Sequence, residues 1–308
     1  MTGRLALLAA FVAVAGCDTS IETPPSLRGT YTLWGALDPT QDVQSVRVVA
    51  VADTLVPQSA APLPVTVVSV DLATGQETAW RDSVVTFRNR SVGHVYRAAF
   101  RPAYGSAHRV VVRRDGDGGE VSATATVPPL ARPLVRPVSL GAEGVRVAVL
   151  WPEAPQLNRV RVTYLVQDRS CATFALPLRL GASSGTSGPS GTSGPSGDGS
   201  EVLLNLSRVA PILRGLLTAD VPVQIGLRAV TVQAEVASLD WRPPGGVFDA
   251  EALAAPGVFG NVAGGYGFVG GAYPAAFTFR PDPRDLVRTT FIDTVSLCGD
   301  LPAPAAPQ

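Results

Sequence analysis

Apolar and polar positions alternate with period two from Leu27 to Val127. Runs rich in Val, Thr and aromatics, bounded by Gly, Pro, Asn and Asp, read as strands. They fall at Tyr31–Leu37, Ser45–Ala52, Pro64–Leu72, Gln76–Arg81, Ser83–Arg88, His94–Arg101, His108–Arg113 and Glu120–Val127. Turn chemistry separates them at Asp38-Pro39-Thr40, Thr74-Gly75 and Asp115-Gly116-Asp117-Gly118-Gly119. Seven or eight short strands about ten residues apart predict an immunoglobulin-like β-sandwich over 27–128.

The pattern then changes. Val127–Pro137 holds four prolines and reads as a stiff linker, set at 129–137. A second, mainly β module with a short helix is expected over 138–298. Its strands fall at Val145–Trp151 and Asn158–Gln167, with a strand and then the helix across Glu201–Leu217. A long strand follows at Pro222–Leu239, and Thr289–Leu297 reads as a closing strand. In the long strand Val223, Ile225, Leu227 and Ala229 share one parity, and Val230, Val232, Ala234 and Val236 the other. A bulge near Ala229–Val230 reconciles the two. Residues 181–200 repeat Gly-Thr-Ser-Gly-Pro-Ser and read as a flexible surface insertion. Residues 242–285 read as a Gly/Pro-rich loop, and 299–308 as a tail.

At the N-terminus, Arg4 precedes an apolar run from Leu5 to Ala15, too short to span a bilayer. It fits a secretory signal over 1–16. Val14-Ala15-Gly16-Cys17 resembles the bacterial lipobox, which makes Cys17 the expected lipidation site and 17–26 a polar tether. Several acyl chains on one residue give stable anchoring. The expected location is therefore the cell envelope, lipid-anchored, at the outer membrane.

Composition narrows the chemistry. The 308 residues carry equal numbers of basic and acidic side chains, and every basic one is arginine. Without lysine there is no Schiff base and no phosphate-loop lysine. Zero net charge with no basic block argues against nucleic acid as a partner. Gly265-Tyr266-Gly267-Phe268-Val269-Gly270 matches the spacing of a dinucleotide loop, but Gly271-Ala272-Tyr273-Pro274 blocks the helix that motif needs. Gly181-Ala182-Ser183-Ser184-Gly185 matches a hydrolase nucleophile elbow inside low-complexity sequence. Asp115, Asp117 and Glu120 resemble part of a calcium loop and read better as a hairpin turn. No cofactor and no metal is expected.

His94 and His108 are the only histidines, and either makes a Ser-His-Asp hydrolase formally available. Both read as strand-face residues, and no enzymatic activity is expected. Trp34, Trp80, Trp151 and Trp241 supply stacking faces for the alternative of a glycan-binding module. Cys171 and Cys298 are an even pair once Cys17 is lipidated, and in an oxidising compartment they are expected to pair. Tyr266 and Phe268, between closely spaced glycines, are either packed or presented as a partner contact.

Several stretches together resemble the domain-of-unknown-function family 4249, lipoproteins of Gram-negative bacteria. They are Tyr31-Thr32-Leu33-Trp34-Gly35-Ala36-Leu37-Asp38-Pro39, Gln44-Ser45-Val46-Arg47-Val48 and the glycine-rich segment from Asn261 to Gly271. The resemblance covers most of 27–298 and carries no catalytic residues. It implies an accessory role beside an outer-membrane TonB-dependent transporter or another envelope protein.

Overall fold

The computed structural model describes residues 30–51, 59–116, 118–141, 144–179, 193–196, 199–217, 224–241, 260–286, 288–293 and 298–299. The fold is mostly β. The first eight strands are β1 (Tyr31–Leu37), β2 (Val43–Ala50), β3 (Val65–Asp71), β4 (Glu77–Ala79), β5 (Arg81–Thr86), β6 (Val92–Ala99), β7 (Ala107–Arg114) and β8 (Glu120–Thr126). They form two facing layers, β1-β2-β6-β5 and β8-β7-β3-β4. In immunoglobulin lettering this is A-B-E-D against G-F-C, with one extra strand beside C. Alternation drives it: Leu33, Val46, Val48, Val110 and Val112 face inward around Trp80.

The second unit comprises β9 (Leu134–Gly141), β10 (Gly144–Trp151), β11 (Gln156–Asp168), β12 (Thr173–Arg179), β13 (Ser193–Ser196) and β14 (Gly199–Asn205). Helix α1 (Leu206–Leu217), β15 (Ile225–Ala237), β16 (Val262–Ala263), β17 (Tyr266–Phe279) and the short α2 (Pro283–Leu286) complete the described elements. Its layers are β9-β10-β14-β13 and β12-β11-β15-β17, the same strand order again, with α1 inserted between the strands lettered E and F. Asn205 Oδ1 accepts the amide of Arg208 and caps α1, whose buried stripe is Leu206, Val209, Ala210 and Leu213. That stripe joins Trp151, Tyr164 and Leu204 in a second core.

One strand belongs to both sandwiches. Tyr266 to Gly271 of β17 run parallel to β1, and Ala272 to Phe279 run antiparallel to β15. The two inner sheets therefore fuse into one sheet of eight strands. β16 pairs with β8 in the opposite layer, so 262–271 closes the open side of the first sandwich. Val262 and Val269 accordingly pack in the first core, whereas Tyr273, Phe277 and Phe279 pack in the second.

The structure departs from the sequence expectations in five places. Residues 266–279 are a strand and not a loop, and 262–271 belong to the first sandwich, not the second module. Glycine hid both facts, because Gly267 and Gly271 occupy inward positions where an alternating pattern needs apolar side chains. Leu134–Pro137 is not linker but the start of β9, whose prolines are tolerated on an edge strand. Ser193–Ser196, expected in the flexible insertion, pairs with β14. The described part of the expected closing strand, 289–293, is turn and coil, tied to the sheet by Ile292 N–H to the Ile225 carbonyl at 2.9 Å. The bulge in β15 sits at Arg228, between the pairs Leu165–Ala229 and Val166–Leu227.

Candidate functional site

The signal at 1–16, Cys17 and the tether lie outside the described residues, as does 181–192 of the insertion. Among the described residues no helix is long and apolar enough to cross a membrane, and no three His, Cys, Asp or Glu side chains converge on a metal position. Cys171 and Cys298 are joined in a disulfide with Cα atoms 5.7 Å apart. It ties the β11–β12 turn to the C-terminal segment.

Both histidines sit where their chemistry is closed off. His94 is 1% exposed; its Nδ1 lies 2.7 Å from Asp82 Oδ2 and its Nε2 3.0 Å from the Ser59 carbonyl. The Asp-His half of a triad is present, but a backbone carbonyl stands where a nucleophilic hydroxyl belongs. Ser59 Oγ instead accepts from the Ala61 amide. His108 approaches the arrangement from another side. Its Nε2 is 3.0 Å from Ser106 Oγ, and Asp71 is its cross-strand partner. Ser106 Oγ, however, donates its proton to the Ala103 carbonyl at 2.6 Å, so it receives the imidazole N–H. A ring that donates to the hydroxyl cannot act as its base. Asp71 Oδ1 is taken by the amides of Ala73 and Thr74, which hold its carboxyl below the usual range. Burial lowers the pKa of His108, opposed only by the charge of Asp71.

The glycine segment is assembled by close backbone approach. Asn261 donates to the carbonyls of Thr124 and Val269 and accepts the Val269 amide, clasping β8 to β17. Gly267 has φ +101°, and a Cβ there would strike the Leu33 carbonyl. A Cβ on Gly271 would lie 2.6 Å from Val127 Cα and 2.7 Å from the Thr126 carbonyl carbon. Phe268 is buried on the outer face of the fused sheet, edge-on to Trp241 with centroids 5.2 Å apart. It is therefore packed and cannot serve as an exposed partner contact. Tyr266, two residues earlier, is only partly buried.

The tryptophans divide. Trp80 and Trp151 are buried in the two cores, Trp241 covers Phe268, and Trp34 is 37% exposed on the outer face of β1. Of the expected stacking surfaces, Trp34 alone lies on an open face among the described residues.

No family model and no curated protein matches the chain. A crystal structure of bovine butyrophilin is similar over 66% of this chain and 91% of that one, at 11% identity and a TM-score of 0.19. Strand order, not that likeness, assigns the immunoglobulin-type topology.

Three groups escaped sequence reading. Tyr273 Oη accepts the Ala131 amide and donates to the Pro129 carbonyl, both at 2.9 Å, and so pins the segment between the sandwiches. Gln44, buried, donates to the carbonyls of Asp38, Gln41 and Phe100 and shapes the β1–β2 turn. Arg47, Arg81 and Arg97 share the outer face with Trp34. Their signal was available: Arg47 stands between inward Val46 and Val48, and Arg97 between inward Tyr96 and Ala98.

Proposed function

We propose that this chain is a lipid-anchored bacterial envelope protein with an interaction or accessory-binding role. The observation that carries the reading is the shared strand β17, which fuses two immunoglobulin-type sandwiches into one continuous eight-stranded sheet. Such a body has large, pre-ordered outer faces and serves presentation and contact. The closed environments of His94 and His108 favour this reading over an exported hydrolase. The lipobox at Val14–Cys17 supplies the anchor, and the resemblance to family 4249 makes an outer-membrane TonB-dependent transporter the partner to look for. Recovery of the tagged, full-length chain from native envelopes tests it. One envelope protein should co-purify with the parent, and Cys17→Ser should lose acyl labelling together with that partner. Unchanged labelling in Cys17→Ser, or no co-purifying protein, refutes the reading.

A further inference from the structure

The outer face of β1, β2, β6 and β5 carries three arginines with no carboxylate partner among the described residues. Register places Trp34 opposite Arg47, Ser45 opposite Arg97, and Arg97 opposite Arg81. One aromatic ring and three guanidinium groups thus share the surface of four adjacent strands. Like charges directly opposed destabilise a sheet, and Arg81–Arg97 is such a pair. Among the described residues Arg101, Arg109, Arg113 and Arg159 have carboxylate partners, whereas Arg47, Arg81 and Arg97 have none. Asp82, the acid on β5, is turned to His94. Because the chain contains no lysine, the identity of these cations is no signal, and Arg161 and Arg169 have no carboxylate partner among the described residues either. The signal is that register gathers three such arginines beside an exposed indole.

The β5–β6 turn extends the face into a built cleft. Gly93 leaves room for the Phe87 ring, since a Cβ there would fall 2.6 Å from it. The Arg47 guanidinium lies 5.1 Å from the centre of that ring. The turn is fixed by Phe87 N–H to the Ser91 carbonyl at 2.8 Å and Arg90 N–H to the Phe87 carbonyl at 2.9 Å. Asn89 Oδ1 accepts from the amide and hydroxyl of Ser91, which leaves its Nδ2 hydrogens to donate outward. Arg47, Phe87, Arg88, Asn89 and Ser91 line an open cleft of about 520 Å³.

We propose that this face binds an anionic polysaccharide, its carboxylate or sulfate groups on Arg47, Arg97 and Arg81 and a sugar ring on Trp34. The inference rests on the accessory-binding reading and names its ligand class. Guanidinium groups pair bidentately with such oxyanions, and an exposed indole offers a stacking face. Neighbouring strands lie about 4.8 Å apart, so arginines on β2, β6 and β5 span roughly 10 Å. That span fits successive charged units of a polymer better than one small anion. An acidic peptide would instead add along β5, the edge strand of this sheet among the described residues, and leave Trp34 and the cleft unused.

The test titrates the intact chain with polygalacturonate, a heparin fragment, neutral dextran and polyglutamate. Binding to one or both anionic glycans is expected, and the two arms separate carboxylate from sulfate recognition. Dextran should not bind, and added salt should weaken the complex. Arg47→Gln with Arg97→Gln should lower glycan affinity by about tenfold or more. The melt should hold, because removing Arg97 relieves a like-charge pair. Trp34→Ala should weaken glycan binding and leave polyglutamate unaffected. Equal affinity for polyglutamate and glycan, with no effect of Trp34→Ala, overturns the proposal in favour of an acidic protein partner. No glycan binding by a chain that still recovers its envelope partner overturns it and leaves the accessory reading standing.

Discussion

Gly271→Ala tests whether β17 truly locks the two sandwiches. Gly271 is the last residue of the pairing with β1, opposite Leu37, and its carbonyl accepts the Ser238 amide at 3.1 Å. The added methyl would meet the Thr126 carbonyl, with Val127 Cα at 2.6 Å and the Thr126 carbonyl carbon at 2.7 Å. All three are backbone atoms. The end of β8 is itself held by Val127 N–H to the Ser106 carbonyl at 2.8 Å, so neither side yields by rotating a side chain. Ordinary contact with the Thr126 carbonyl oxygen requires the chains to part by more than about an ångström. Overpacking costs about 1–3 kcal/mol where a core can adjust. With rigid backbone on both sides the expected loss is about 3 kcal/mol, at the upper end of that range. Urea unfolding followed by tryptophan fluorescence and far-ultraviolet circular dichroism measures it, since Trp80 reports on one core and Trp151 on the other. A loss within about 0.5 kcal/mol of zero, the usual effect of an innocuous surface change, would refute the reasoning.

Tyr273→Phe removes both bonds that hold Ala131 and Pro129, and should cost about 1–3 kcal/mol with the fold retained; an unchanged denaturation midpoint contradicts that. Reducing Cys171–Cys298 opens a loop with a sequence separation of 127 residues and should cost about 5 kcal/mol in the chain-entropy model. A non-reducing peptide map with alkylatable thiols at both positions would remove its basis. Burial lowers the pKa of His108 in the folded state, so the unfolded chain binds the proton first. This contribution is complete above pH ~6.5, the unfolded value, and declines as the pH falls below it. His108→Gln should flatten that part of the stability-versus-pH curve, and an identical slope in parent and variant would speak against it.

Across the first sandwich, where one face of each strand is buried, the alternation of residues was enough to read the strands, whereas β12 went unread although Phe174, Leu176 and Leu178 alternate toward the second core. β1 occupies Tyr31–Leu37, the very run expected, and the glycines at 116 and 118 adopt the positive φ that a β7–β8 hairpin needs. The bulge in β15 lies one residue from where the parity changes. β17 was illegible because its information sits in absent side chains: Gly267 and Gly271 are selected by the backbones they approach, Leu33 and Thr126, which no local window contains. β9 was hidden by prolines that only an edge position excuses. At the candidate site, Trp34 was visible as one of four tryptophans, but its arginine neighbours become a surface only through the register of β1, β2, β6 and β5. Phe268 drew notice for its setting among glycines, and its burial depends on Trp241, far from it in sequence.

The parallel pairing of β1 with β17 also determines how the molecule bears load. β1 is the first described strand, and β17 continues beyond Gly271 into the second sandwich. A pull that separates the chain ahead of Tyr31 from the second sandwich drags β1 toward its own N-terminus and β17 toward its C-terminus. Parallel neighbours drawn in opposite senses slide past one another. The six residue pairs from Thr32–Tyr266 to Leu37–Gly271 must therefore yield together, whereas strands peeled from one end release their pairs in turn. β1 is held in the same way on its other side by β2. Tension entering ahead of Tyr31 meets a shear joint at the first described strand, and that joint must fail before the load reaches either core.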